Sequence, residues 1–134
     1  MNVVLDTNVV VSGTMTARGT CSRILDLLLE DIVVICVNDY ILSEYETVLC
    51  RPELKIIQQD VEAVLNLIHS RAGFVTALPL MTQLPDTDDL PFLEVAAAAE
   101  AVLVTGNMRH FPSHACAGVA VVSPAEFLKL VCEK

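Results

Sequence analysis

The chain has 134 residues, the size of one domain, and 17 acidic against 8 basic side chains leave a formal charge of −9. With 54% apolar and only 19% charged residues it excludes intrinsic disorder, and its longest unbroken apolar stretches, such as residues 32–37, are too short to span a membrane. The acidity argues against binding nucleic acid by bulk charge alone, but not against an enzyme whose acids hold metal ions.

Residues 3–5 are a continuous apolar run ending in a turn-like Asp6-Thr7-Asn8, which predicts a buried strand. Residues 20–30 place Ile24, Leu25, Leu27 and Leu28 at helical spacing, and residues 32–37, apolar and rich in β-branched side chains, form a second buried strand. A helix over 39–50 follows, with Ile41, Leu42, Tyr45, Val48 and Leu49 on one face and Pro52 ending it. That face fits either core packing or a twin subunit, because an amphipathic stripe looks alike in both.

Asp60 is expected to cap the next helix, in which Val61, Val64, Leu65 and Ile68 recur with helical period; Gly73 closes it and 74–75 add a short strand. Residues 85–89 read as a polar loop, and 91–100 as an alanine-rich helix with Pro91 in its first turn. Residues 102–105 and 119–122 are the third and fourth buried strands. Ser123-Pro124-Ala125-Glu126 has capping-box spacing, so a last helix runs to the C-terminus. No linker or repeat divides the chain, which reads as a single domain, 1–134. Alternating strands and helices predict an α/β sandwich around a mainly parallel sheet, with ligands beyond the carboxyl ends of the strands.

Cys21, Cys36, Cys50, Cys116 and Cys132 are odd in number, lack CxxC spacing and mostly sit in apolar runs, as reduced cysteines of a cytoplasmic protein do. The N-terminus has no basic region and no signal-peptide core, which agrees with that compartment. His110, His114 and Cys116 form an H-x3-H-x-C cluster without an obvious fourth ligand, so zinc is not expected there. His69 reads as a helix-end residue.

Asp6, Thr7 and Asn8 end the first strand, and Thr105, Gly106 and Asn107 the third. Glu44 sits one turn into a helix, and Asp86, Asp88 and Asp89 crowd the entrance to another. Each acid alone reads equally as a turn cap, a solvated helix residue or a helix N-terminal acid. Together they read as a metal site, because converging carboxylates repel one another unless a cation joins them. Hard Mg²⁺ or Mn²⁺ ions take such oxygen ligands.

The segment Val4-Leu5-Asp6-Thr7-Asn8-Val9 resembles the opening of a PIN domain, the metal-dependent ribonuclease fold common among toxin–antitoxin toxins. Glu44 to Leu54 is similar to the E-x-x-x-V-L-x-R-P-x-L segment of one bacterial branch, Asp86 to Ala96 to its D-x-D-D-x-P-F-L-x-x-A block, and Leu103 to Asn107 to its L-V-T-G-D/N strand end. The resemblance implies a PIN-like three-layer α/β/α sandwich acting as a metal-dependent endoribonuclease. It makes Asp6, Glu44 and Asp89 the core metal-binding and catalytic acids, with Asp86 and Asp88 as helpers and Mg²⁺ or Mn²⁺ as cofactor. Water activated by one or two such ions would attack the phosphodiester in line, leaving a 5′-phosphate and a 3′-hydroxyl. Thr7, Asn8 and Thr105 would aim the carboxylates. Asn107 stands where the family often has a fourth acid, and it contributes no negative charge. By position, Arg18 and Arg23 after the first strand-end loop and Arg109 after Asn107 are the candidate RNA contacts, and they read equally as solvated surface arginines. The implied partners are an RNA substrate, an antitoxin protein and a second copy of the chain. The alternative is a catalytically weakened PIN-fold module that acts by binding protein.

Overall fold

The computed structural model describes residues 1–132; Glu133 and Lys134, where the last helix and the domain are expected to end, lie outside the described residues. Strands β1 (Asn2–Leu5), β2 (Val34–Val37), β3 (Gly73–Phe74), β4 (Val102–Val104) and β5 (Val121–Val122) form one sheet in the order β3-β2-β1-β4-β5. Every neighbouring pair is parallel. The helices are α1 (Thr7–Met15), α2 (Thr20–Leu29), α3 (Asp39–Leu49), α4 (Gln58–Arg71), α5 (Leu90–Ala99) and α6 (Pro124–Cys132).

β1 lies in the middle of the sheet, and its Val3, Val4 and Leu5 are completely buried, as a strand covered on both faces requires. Helix α5 packs across β1, β2 and β4, whereas α2 packs against α1, α4 and α6, giving a three-layer α/β/α arrangement. From β1 the chain runs outward through β2 and β3 on one side, then returns to β4 and β5 on the other. The strand order therefore reverses between β1 and β4, and a crevice opens beyond their carboxyl ends.

Four local expectations are corrected. Asp6-Thr7-Asn8 is not a simple turn, because helix α1 starts at Thr7 with Asp6 as its cap. Its sequence, TNVVVSGTM, is poor in strong helix formers, and packing overrides propensity. Gly13 permits that packing: a Cβ there would stand 2.8 Å from Leu25 Cδ1 and 2.9 Å from the Cys21 carbonyl oxygen. Helix α4 begins before Asp60, which falls in the first turn, where its charge complements the helix dipole. Gly73 opens β3 rather than closing α4, whose cap residue is Ala72. The second strand starts only at Val34, because the N–H groups of Ile32 and Val33 both donate to the Leu27 carbonyl and finish the turn after α2.

The capping box is present, with Glu126 N–H donating to Ser123 Oγ and Ser123 N–H to Glu126 Oε1, each at 3.1 Å. Ile41 is wholly buried, so core packing accounts for it; Leu42 is half-buried against the core. Among the described residues no helix is long and apolar enough to cross a membrane.

Candidate functional site

Asp6 follows directly on β1, and its N–H extends the ladder to the Val104 carbonyl at 2.9 Å. This pins the residue at the strand-order reversal. Its carboxylate accepts from Thr7 N–H (2.8 Å), Thr105 Oγ1 (2.8 Å) and Asn8 Nδ2 (3.3 Å). Thr105 is fully buried and passes the constraint on, since its Oγ1 also accepts from Asn107 N–H at 3.0 Å. Asn8 bridges to the other strand end by accepting from Gly106 N–H at 3.0 Å. Thr7, Asn8 and Thr105 thus lie in contact with Asp6 or beside it.

Glu44 comes from α3, which is capped by Asn38 and clamped to the sheet by its neighbour Tyr45. The buried Tyr45 hydroxyl donates to the Leu5 carbonyl, and its ring lies 6.4 Å from that of Phe92. Asp86, Asp88 and Asp89 come from a short 3-10 turn, Thr87–Asp89, ahead of α5, in which Asp86 accepts from Asp88 N–H at 2.9 Å. All five acids, with Thr7 and Asn8, line one cleft of about 570 Å³. Val11, Val48, Leu54 and Phe92 form its apolar wall.

Among the described residues, one trio brings a donor atom from each member within 4.8 Å of the others: Asp86, Asp89 and His110. His110 Nδ1 lies 2.8 Å from Asp89 Oδ2. His110 is not among the residues that the sequence points to for this site. The available signal was its position in the loop after the third apolar run, at the same sheet edge as Asp6. The other members of its H-x3-H-x-C cluster turn elsewhere: His114 is exposed, and the buried Cys116 thiol donates to the Phe111 and Pro112 carbonyls. His69 lies in the last turn of α4.

Asn107 does not line the cleft, nor do the exposed Arg18, Arg23 and Arg109. Arg51 is the only Arg or Lys among the described residues that does. It lies directly ahead of Pro52, after α3 has ended, and is not among the arginines expected to contact RNA.

Burial pushes the Asp6 carboxyl up, against the pull of its hydrogen bonds from Thr105 and Thr7. Burial also pushes Asp89 up, to about 6, helped by the negative charge of Asp6 and opposed by the hydrogen bond to His110. A carboxyl raised by burial and by neighbouring acids, as Asp89 is, is relieved by a cation beside it. The donor set fits a divalent ion: carboxylate oxygens, one imidazole, and a Thr7 Oγ1 that is buried without a hydrogen-bond partner.

A parallel α/β sheet with acids gathered where its strand order reverses defines a class of α/β protein with an acidic cleft at the switch point. A PIN domain family model matches residues 2–109. The chain is 27% identical over 110 residues to the uncharacterized protein MJ1680 of Methanocaldococcus jannaschii, covering 80% of this chain and 71% of that protein. A chain in the crystal structure of VapBC2 from Rickettsia felis bound to a DNA fragment from their promoter shares the fold, with a TM-score of 0.60 and 18% identity. That match covers 92% of this chain and 98% of the other. The chain belongs to the PIN domain family, whose members are generally metal-dependent nucleases.

Proposed function

We infer that this protein, a single PIN domain over 1–134, is a metal-dependent endoribonuclease and the toxin of a toxin–antitoxin pair. The observation that carries the reading is the meeting of Asp6, Glu44, Asp86, Asp88 and Asp89 in one cleft at the strand-order reversal. Asp6, Glu44 and Asp89 hold the cation, and Asp86 and Asp88 assist. A bound Mg²⁺ or Mn²⁺ supplies an activated water and a polarised phosphodiester. Thr105, Asn8 and the Thr7 N–H hold the Asp6 carboxylate in one orientation through their hydrogen bonds. Tyr45 keeps the helix bearing Glu44 seated on β1. Arg51 contacts phosphate inside the cleft, with Arg18, Arg23 and Arg109 as outlying contacts. The VapBC2 likeness supports an antitoxin partner, and pairing with a second copy of the chain belongs to the same proposal.

Cleavage of single-stranded RNA in Mn²⁺ tests this. Asp6→Asn and Asp89→Asn, both folded, are expected to abolish cleavage, and persistent activity in both would refute the assignment. The alternative, a weakened module acting through protein binding, draws on Asn107 standing off the cleft and on the single arginine within it. It requires that Asn107→Asp leave an inactive protein inactive. A gain of activity in that variant marks a weakened enzyme instead.

A further inference from the structure

His110 is the one non-carboxylate member of the trio whose donor atoms converge, and it reaches the acids from a separate element, the 3-10 turn Met108–His110 beyond β4. It lines the cleft together with Asp6, Glu44 and Asp89, and among the described residues it is the only histidine there. Its Nδ1 sits 2.8 Å from Asp89 Oδ2. Adjacent ligands around a six-coordinate ion with bonds near 2.1 Å stand about 3 Å apart, so the pair is already at ligand spacing. A second, independent observation points to the same cleft. Thr7 also lines it, is only 8% exposed, and has a hydroxyl oxygen with no hydrogen-bond partner.

We propose that His110 is a nitrogen ligand of the cation site, shared with Asp86 and Asp89, and that it shifts the site's preference from Mg²⁺ towards Mn²⁺ and the later first-row divalent ions. The inference rests on the reading of the cleft as a cation site. Its physical basis is ligand softness. Mg²⁺ binds oxygen almost exclusively, whereas imidazole strengthens binding along the series from Mn²⁺ towards Ni²⁺. An all-carboxylate site would lack that bias. The contact with Asp89 holds the ring beside the acids before an ion binds, and the proton shared by Nδ1 and Oδ2 leaves when both atoms become ligands.

Two measurements on the full chain test this without an activity readout. Pulsed electron paramagnetic resonance of the Mn²⁺-loaded wild type should show nitrogen coupling from a directly bound imidazole, and His110→Gln should lose it. Calorimetry with each metal alone should show Mn²⁺ affinity falling about tenfold or more in His110→Gln while Mg²⁺ affinity changes about threefold or less. Circular dichroism establishes that the variant folds. Mn²⁺ bound to the wild type without nitrogen coupling would overturn the role of His110 and leave the cation site standing. Equal losses for both metals would overturn the selectivity. Failure of the wild type to bind Mn²⁺ at millimolar concentration would remove the cation site itself, and this proposal with it.

Discussion

The hydroxyl of Tyr45 donates to the main-chain carbonyl of Leu5 inside the core. Leu5 precedes Asp6 and Tyr45 follows Glu44, so a single buried hydrogen bond ties together the two elements that carry these acids. Burial keeps the Tyr45 hydroxyl protonated, with its pKa well above the ordinary value, and so able to donate. Tyr45→Phe retains the ring contact with Phe92 and removes only the donor. The expected result is a loss of about 1–2 kcal/mol in urea denaturation, together with several-fold weaker Mn²⁺ binding by calorimetry. A stability loss with unchanged metal affinity would confine Tyr45 to the core.

Burial of Asp89, with repulsion from Asp6 second, makes the metal-free protein pH-sensitive. The Asp89 pKa is raised from 3.8 to about 6 on folding, so between those values the folded state holds more protons than the unfolded state. The stability associated with protonated Asp89 is therefore fully present below the lower value and is lost as pH rises through about 6. In chelator, Asp89→Asn should be more stable than the wild type at pH 7 by about 1–2 kcal/mol, allowing for partial solvent screening. The difference should shrink towards pH 4. Added Mn²⁺ should stabilise the wild type and leave Asp89→Asn nearly unmoved, a reversal that thermal denaturation would read directly.

Thr105 is fully buried and serves Asp6 and Asn107 at once. Thr105→Val preserves its shape and deletes both hydrogen bonds. A destabilisation of about 1–3 kcal/mol and reduced Mn²⁺ affinity should follow, with Thr105→Ser restoring most of the affinity. If the valine variant binds metal normally, Asp6 is oriented without Thr105.

Gly13→Ala pits two effects against each other. Alanine improves helix propensity by about 1 kcal/mol, but its Cβ would enter within 2.9 Å of the Cys21 carbonyl oxygen, a main-chain atom that cannot rotate away. The clash should win, with net destabilisation of about 1–3 kcal/mol in urea. A stabilised variant would mean that α1 and α2 slide apart freely.

RNA affinity, measured on the Asp89→Asn background so that no substrate is consumed, should fall most in Arg51→Ala. That variant should also reduce the slope of log affinity against log salt by somewhat less than one, as expected for a single lost phosphate contact. Arg18→Ala, Arg23→Ala and Arg109→Ala should each have a smaller effect, because these side chains stand on the exposed surface outside the cleft. The opposite ranking would move the RNA path away from Arg51.

The class of fold and the chemistry gathered at the sheet edge are written in local residue patterns. Uninterrupted apolar runs such as Val3-Val4-Leu5 suit only strands covered on both faces, and strands of that kind separated by amphipathic helices build a parallel sheet with its polar residues beyond the carboxyl ends. Asp6 and the acids at 86, 88 and 89 were legible for that reason, since each lies where a strand ends or a helix begins, whereas Glu44, inside α3, was legible through the segment that resembles the family. Helix α1 was not legible, because TNVVVSGTM carries almost no helical signal and is held by the Asp6 cap and the close approach at Gly13. His110 and Arg51 were hidden for a different reason. Neither follows a periodic pattern, and their entry into the cleft depends on short turns whose direction only the packed structure sets. Local patterns report burial and capping, whereas the convergence of side chains 21 residues apart, as in Asp89 and His110, is decided by how β4 and α5 come together in space.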